Sequence, residues 1–205
     1  MQNVEKPQHK FLTTARVEAL SDAIFAFAMT LLVLNLGFPD TIVGNSESRL
    51  SDLLLGHITQ FVNYAIGFIL IAIFWVAHHQ QFHHIKRTDS HLIWINIVTL
   101  MFVALIPFST DLVGDFNGET VADIFFACNL LIVGLFFTVT WAYAVRDRKL
   151  VDGDLDEETI MKGLRRNLLV PVISIIVIVL ALFVPGYSLF AYWLVPLAYF
   201  LKPFR

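Results

Sequence analysis

Hydrophobic positions in this chain fall in long continuous runs separated by short polar stretches, with no alternation of the kind a strand would show. A helix needs about 20 apolar residues to cross roughly 30 Å of hydrocarbon. On that measure six membrane helices are predicted, at 17–37, 53–77, 91–112, 121–145, 167–184 and 187–203. Gly37 and Pro39 end the first, and a Ser51-Asp52 capping signal opens the second. The third contains Pro107. The last two, joined by Pro185-Gly186, read as a tight hairpin. Residues 1–205 therefore form a single six-span unit, an all-α integral membrane protein, because continuous apolar runs satisfy their backbone only as helices.

Composition agrees: 57% of residues are hydrophobic, only 15% are charged, and there are 19 Phe, too little polar surface to cover a soluble domain. The polar segment 1–14 has no cleavage pattern, so the first span is expected to be retained. The lone Cys128 reads as a small packed hydrophobe. Of the 14 Lys and Arg, all but Arg49 lie on the side shared by both termini, which predicts cytoplasmic termini in a multi-pass plasma-membrane protein. The other side carries Asp111, Asp115, Glu119 and Asp123, read as a solvated loop, with an acidic mouth that concentrates cations as the alternative. The acidic stretch Asp152 to Glu158 does not match a calcium loop and reads as a linker with a short amphipathic helix start. No basic footprint for nucleic acid is visible. With no nucleophile elbow, no zinc-protease motif and no phosphate loop, neither an enzyme nor a bound cofactor is expected.

Candidate chemistry centres on the first span, Arg16 to Leu36, because a charge at membrane depth must face protein or water. On a helical wheel Ala26, Met29 and Val33 cluster around Asp22, whereas Thr30, Leu34, Phe27 and Leu31 lie about 80° to 180° away. The first group suits packing against another helix. In isolation the second reads as lipid-facing. His78, Arg16 and Asn96 are the candidate donors to Asp22. Four imidazoles, His78, His79, His83 and His84, also allow a divalent-metal or proton-coupled transporter using Asp22 as the alternative, although interfacial histidines partly paired with Asp22 are the preferred reading and no metal site is assigned.

The run Arg-x-x-x-Leu-Ser-Asp at Arg16 to Asp22, continued by Ala-Ile-Phe-Ala-Phe-Ala-Met-Thr to Thr30, resembles the first-helix signature of the transmembrane-175 potassium channel family in its short prokaryotic form. Phe74-Trp75 with His78-His79, His91-Leu92 with Asn96, and Pro107-Phe108 are similar too. The resemblance implies a homotetramer in the membrane lipid whose first helices line a central pore for K+. It places Phe27, Leu31 and Leu34 at the constriction and Thr30 at a selectivity layer, with Arg16, Ser21, Asp22, His78 and Asn96 as the network that holds the pore helix. Leu20 stands where the family has Phe, implying a looser packing contact, and Phe27 stands where Ile or Leu is common. Apolar rings gate by dewetting, and hydroxyl dipoles without full charge hold K+ weakly. A leak-type channel of weak to moderate selectivity is therefore expected.

Overall fold

The computed structural model describes residues 13–34, 36 and 54–199. The ends proposed for the first and last spans, the Ser51-Asp52 cap, and Lys6, Lys10, Arg49, Lys202 and Arg205 lie outside the described residues. Helix α1 is Thr14–Leu34, α2 Ile58–His84, α3 Ser90–Ala104, α4 Ile106–Asp115, α5 Thr120–Val145, α6 Glu157–Ala181 and α7 Leu194–Tyr199, with 3-10 segments at Arg146–Arg148 and Ser188–Trp193. With α3 and α4 taken together, five of these elements are long and apolar enough to cross a membrane. The protein is a multi-pass helical membrane protein.

The expected sixth span, 187–203, is described only in part. Its described part, Ser188–Tyr199, has only 12 residues, half of them 3-10. At about 2.0 Å rise per 3-10 residue and 1.5 Å per α residue it covers roughly 21 Å, less than the hydrocarbon thickness. It nevertheless runs between the two ends of the bundle. Ser188 donates to buried Asp123 near the start of α5, and the Tyr199 hydroxyl donates to Gln80 Oε1 near the end of α2.

Two boundaries move because polar residues continue a helix past its apolar core. Helix α2 runs through the histidines to His84, about 40 Å in all. Helix α6 starts at Glu157, ten residues before the expected 167, where the Asp156 carboxylate accepts the Thr159 N–H at 2.8 Å. The third span is broken at Leu105, two residues before Pro107, which has no N–H to continue the ladder. Asp123, expected in a solvated loop, is fully buried; its Oδ2 accepts from Gly186 N–H at 2.8 Å and Ser188 Oγ at 2.7 Å. It is the tether of the 185–188 turn, where Gly186 takes a left-handed φ of 82°.

Helices α5 and α6 form the most extensive pairing. Pro171 inside α6 is accommodated because Gly134 on α5 presents no side chain, and a Cβ there would sit 2.5 Å from Pro171 Cδ. One turn from the basic end, Gly163 leaves room for the Trp141 indole, whose Nε1 donates to the Ile160 carbonyl at 3.0 Å. A main apolar core built around Phe25, Leu32, Leu70, Ile106, Leu130 and Val177 fills the bundle. A second cluster, including Val17, Phe82, Ile85, Leu92, Leu150 and Val151, closes the basic end. There Ile85 and Val151 make an antiparallel bridge.

Asp89 ties α3 to α5 at that end: Oδ1 accepts Leu92 N–H at 2.9 Å and Oδ2 accepts the Tyr143 hydroxyl at 2.7 Å. Burial raises its carboxyl, but these donors and the Lys149 charge outweigh that and hold it below the usual aspartate range.

Two measurements follow. Gly134→Ala is expected to cost about 1–3 kcal/mol by overpacking, read as a lower Tm in detergent, whereas Gly153→Ala, with open space around it, leaves Tm unchanged. Because the Asp89 carboxyl is depressed on folding, its contacts stabilise fully above the ordinary aspartate value of about 4, and that stabilisation is lost as pH falls below it and through the lower folded value. The Tm gap between the wild type and Tyr143→Phe is therefore expected to be constant near pH 7 and to close below about pH 4; a gap unaltered at pH 3 would show that Asp89 does not carry it.

Candidate functional site

Helix α1 has no Gly or Pro in its described length, and residues spaced by three and four, Val17, Ser21, Phe25, Ala28 and Leu32, form its buried stripe. The stripe packs on α2, α3 and α4. Its polar member, Ser21, is fully buried, and its hydroxyl donates to the Val17 carbonyl at 2.9 Å. Asn96 on α3 then donates from Nδ2 to Ser21 Oγ at 3.1 Å. With that amide nitrogen committed, Asn96 Oδ1 faces His78 Nε2 at 3.1 Å, so Nε2 carries the proton and His78 is the donor. A directed chain runs from α2 through α3 into the backbone of α1.

The chain is sealed by rings. His78 stacks on Phe82 with centroids 4.3 Å apart, and Phe25 and Phe137 lie at 5.8 and 6.2 Å. One turn along α2, Gln81 donates to the Phe137 carbonyl at 3.1 Å. Such satisfied buried polar groups specify one docking of α1, because leaving any member unpaired costs about 1–3 kcal/mol.

Asp22 stands outside this chain. It is exposed, and its Oδ1 accepts from Trp75 Nε1 at 2.9 Å, not from His78, Asn96 or Arg16, the donors expected from the sequence. The reason is angular: Ser21 and Asp22 are about 100° apart on the helix, so a helix that turns Ser21 to α3 turns Asp22 away. Arg16 is exposed and joins none of the proposed network partners among the described residues. Trp75 is the partner that sequence reasoning missed. Its position about one turn before His78, on the same helix and at the depth of Asp22, was the available signal. Asp22, Phe25, Ala26, Met29 and Trp75 line an open cleft of about 410 Å³ beside α1.

The rest of α1 is uncovered. Phe27 is 63% and Leu34 73% exposed, Thr30 is exposed and Leu31 half-buried, and all four lie on one half of the helix. Leu20 is 48% exposed on that same side, so within the chain it makes no core contact, loose or tight. The Thr30 hydroxyl donates to the Phe27 carbonyl at 2.8 Å, leaving its oxygen lone pairs turned outward. Among the described residues no three His, Cys, Asp or Glu converge as metal ligands. His79 stacks on Trp75 and His83 contacts His84 edge-on, so the histidines and Asp22 do not form one cluster.

The chain is similar in sequence and fold to known proteins. The family model described as endosomal/lysosomal potassium channel TMEM175 matches residues 16–107, which hold α1, the His78–Asn96–Ser21 chain and the Pro107 break. A potassium channel of Streptomyces collinus is 31% identical over 70% of this chain and 70% of its own. A potassium channel of Chamaesiphon minutus is 30% identical over 77% of each. The crystal structure of a lysosomal potassium-selective channel TMEM175 homolog from Chamaesiphon minutus superposes with a TM-score of 0.80 at 26% identity, covering 94% of this chain and 98% of that one. With this family match and this coverage of relatives, the chain belongs to the TMEM175 channel family.

Proposed function

We propose that the protein is a potassium-permeable channel, assembled from four copies around their α1 helices, with both termini on the cytoplasmic side of the plasma membrane. It is a conduit, not an enzyme. The observation that carries the reading is that α1 is held along one stripe only, while a carboxylate and a hydroxyl occupy its uncovered half. Apolar exposure on that half is compatible with lipid. Asp22 is not, because a charge at membrane depth needs protein or water. A neighbouring copy seated in the cleft beside Asp22 and Trp75 supplies protein on one side and leaves the Thr30, Leu34 and Phe27 side facing an axis.

In that assembly Phe27, Leu31 and Leu34 form the apolar constriction, which opposes water and a partly dehydrated cation until it widens. Thr30 supplies four outward oxygens that replace some hydration without full charge, so K+ binds weakly enough to leave and selectivity is weak to moderate. Ser21, His78 and Asn96 fix the rotation of α1, Asp22 belongs to the subunit contact, and Arg16 remains a signature residue at the base of the helix. The six-span count rests on Ser188–Tyr199 recrossing between Asp123 and Gln80, which also returns the C-terminus to the side of the N-terminus.

Purified protein in liposomes is expected to pass K+ faster than Na+ down matched gradients; no K+ flux under any pH or voltage would remove the channel reading. Leu34→Ala is expected to raise basal flux about tenfold, equivalent to about 1.4 kcal/mol off the barrier, and Thr30→Ala to change the K+ to Na+ ratio. Unchanged flux in both would take this face of α1 out of the pore. Asp22→Asn keeps the oxygen that accepts from Trp75 but removes the charge. It is expected to weaken the tetramer in native mass spectrometry with the permeability ratio unaltered, and a stable tetramer with altered selectivity would instead put Asp22 in the ion path.

A further inference from the structure

A polar pocket away from α1 lies at the basic end of the bundle. A cavity of about 320 Å³ opens between α2, α5 and α6, lined by Gln80 and His84 from α2, Trp141 from α5, and Thr159, Lys162 and Arg166 from α6. Three of those six side chains carry or accept positive charge, and no carboxylate among the described residues lines the wall. Its floor is the buried Trp141 indole lying against Gly163.

Arg166 is the residue that needs explaining. It is half-buried about two and a half turns into a membrane-crossing helix, and no Asp or Glu among the described residues lies within ion-pair distance. One of its amino groups donates to Gln80 Oε1, an oxygen shared with the Tyr199 hydroxyl, while its Nε is buried with no hydrogen-bond partner. A guanidinium with one amide neighbour and an open donor edge is an incomplete arrangement, because a desolvated charge is retained only with a counter-charge. Lys162 is partly neutralised by Glu158 at 2.9 Å, four residues earlier and exposed.

We infer that this cavity binds a phosphate group. Donors converge from two helices: the Nε side of Arg166 and Lys162 from α6, His84 and the Gln80 amide from α2. A carboxylate has two oxygens for such a set; a phosphate has three or four and pairs with the Arg166 fork in two-point fashion. The volume exceeds that of a bare phosphate and leaves room for a substituent. The pocket is lined by the end of α2, the end of α5 and the first turns of α6, where Lys86, Arg146 and Arg148 already pair with Asp152, Asp147 and Glu157; a lipid headgroup and a free phosphate compound are the two sources of phosphate to be distinguished. The site does not depend on the conduction reading. Its occupant would clamp α6 to the end of α2, the helix whose Trp75 and His78 hold α1.

The test is thermal unfolding of the purified full-length protein in maltoside detergent at fixed ionic strength, titrated with inorganic phosphate, dioctanoyl phosphatidylglycerol, or dioctanoylglycerol as the phosphate-free control. Saturable stabilisation by the phospholipid alone identifies a lipid headgroup site, and stabilisation by inorganic phosphate as well identifies a site open to free phosphate; dioctanoylglycerol is expected to do neither. Arg166→Gln is expected to weaken the effective ligand at least tenfold, and Glu158→Gln to tighten it a few-fold by freeing Lys162. Should Arg166→Gln fail to fold, the double variant Lys162→Gln, His84→Gln decides, since both side chains sit at the cavity rim. No stabilisation by either phosphate probe, equal stabilisation by the phosphate-free control, or a response that the folded variants leave unchanged overturns the proposal.

Discussion

Everything about α1 depends on one requirement: a hydroxyl, an amide and an imidazole buried among apolar helices must all be paired with one another. His78 donates to Asn96, Asn96 to Ser21, and Ser21 to the Val17 carbonyl, so no member is left over. This fixes the azimuth of α1, because Ser21 can reach Asn96 in only one rotation of the helix. Once that rotation is set, every other residue of α1 is committed. Asp22 is turned about 100° toward Trp75 and the open cleft, and Thr30 and Leu34 are carried still further from the core. A rotation that buried Phe27 or Leu34 would gain apolar area but strand three polar groups, at about 1–3 kcal/mol each.

The load is carried by α2 more than by α1 itself. Within two turns it sends Trp75 to Asp22 on α1, His78 to Asn96 on α3, Gln81 to the Phe137 carbonyl on α5, and Gln80 to Arg166 on α6. Four helices are thus referenced to one segment at the same depth. Helices α5 and α6 form a rigid pair behind it, with backbones brought close at Gly134 against Pro171 and at Gly163 against Trp141, the small-residue contacts that let membrane helices approach. Any displacement of α1 toward or away from an axis must be accommodated at this segment, since α1 has no other polar attachment among the described residues.

Five long apolar helices and the depth of most polar residues along them were legible in the sequence, because hydropathy reports position along the membrane normal. Rotation was legible only in part. Depth alone made His78 and Asn96 partners of Asp22, whereas the structure gives Asn96 to Ser21 and His78 to Asn96, and leaves Asp22 to Trp75. Neighbouring residues on a helix cannot face the same partner, and nothing in the apolar pattern says which of Ser21 and Asp22 turns inward. The boundary of α6 was hidden for a different reason. Its first turns are charged and amphipathic, so they fall below any membrane threshold although Asp156 caps them as a helix. Asp123 read as a solvated acid because its partners, Gly186 and Ser188, are more than 60 residues away.

The proposed selectivity layer shows how a local hydrogen bond shapes a property of the assembly. A free hydroxyl can turn either its proton or its lone pairs to an approaching ion, and the two orientations oppose each other. Thr30 has no such choice: its proton is held by the Phe27 carbonyl at 2.8 Å, so an exposed oxygen acceptor is what the uncovered face presents. In the proposed tetramer four such acceptors would meet at one level, one helical turn from the bulk of Phe27 and Leu34. Each is a dipole and not a charge, so the layer favours a cation over an anion yet offers no ligand strong enough to trap it. A carboxylate at that level would bind more tightly and release more slowly. In the proposed tetramer, seating Asp22 about two turns away, against Trp75 and the neighbouring copy, would keep its carboxylate off the conduction axis.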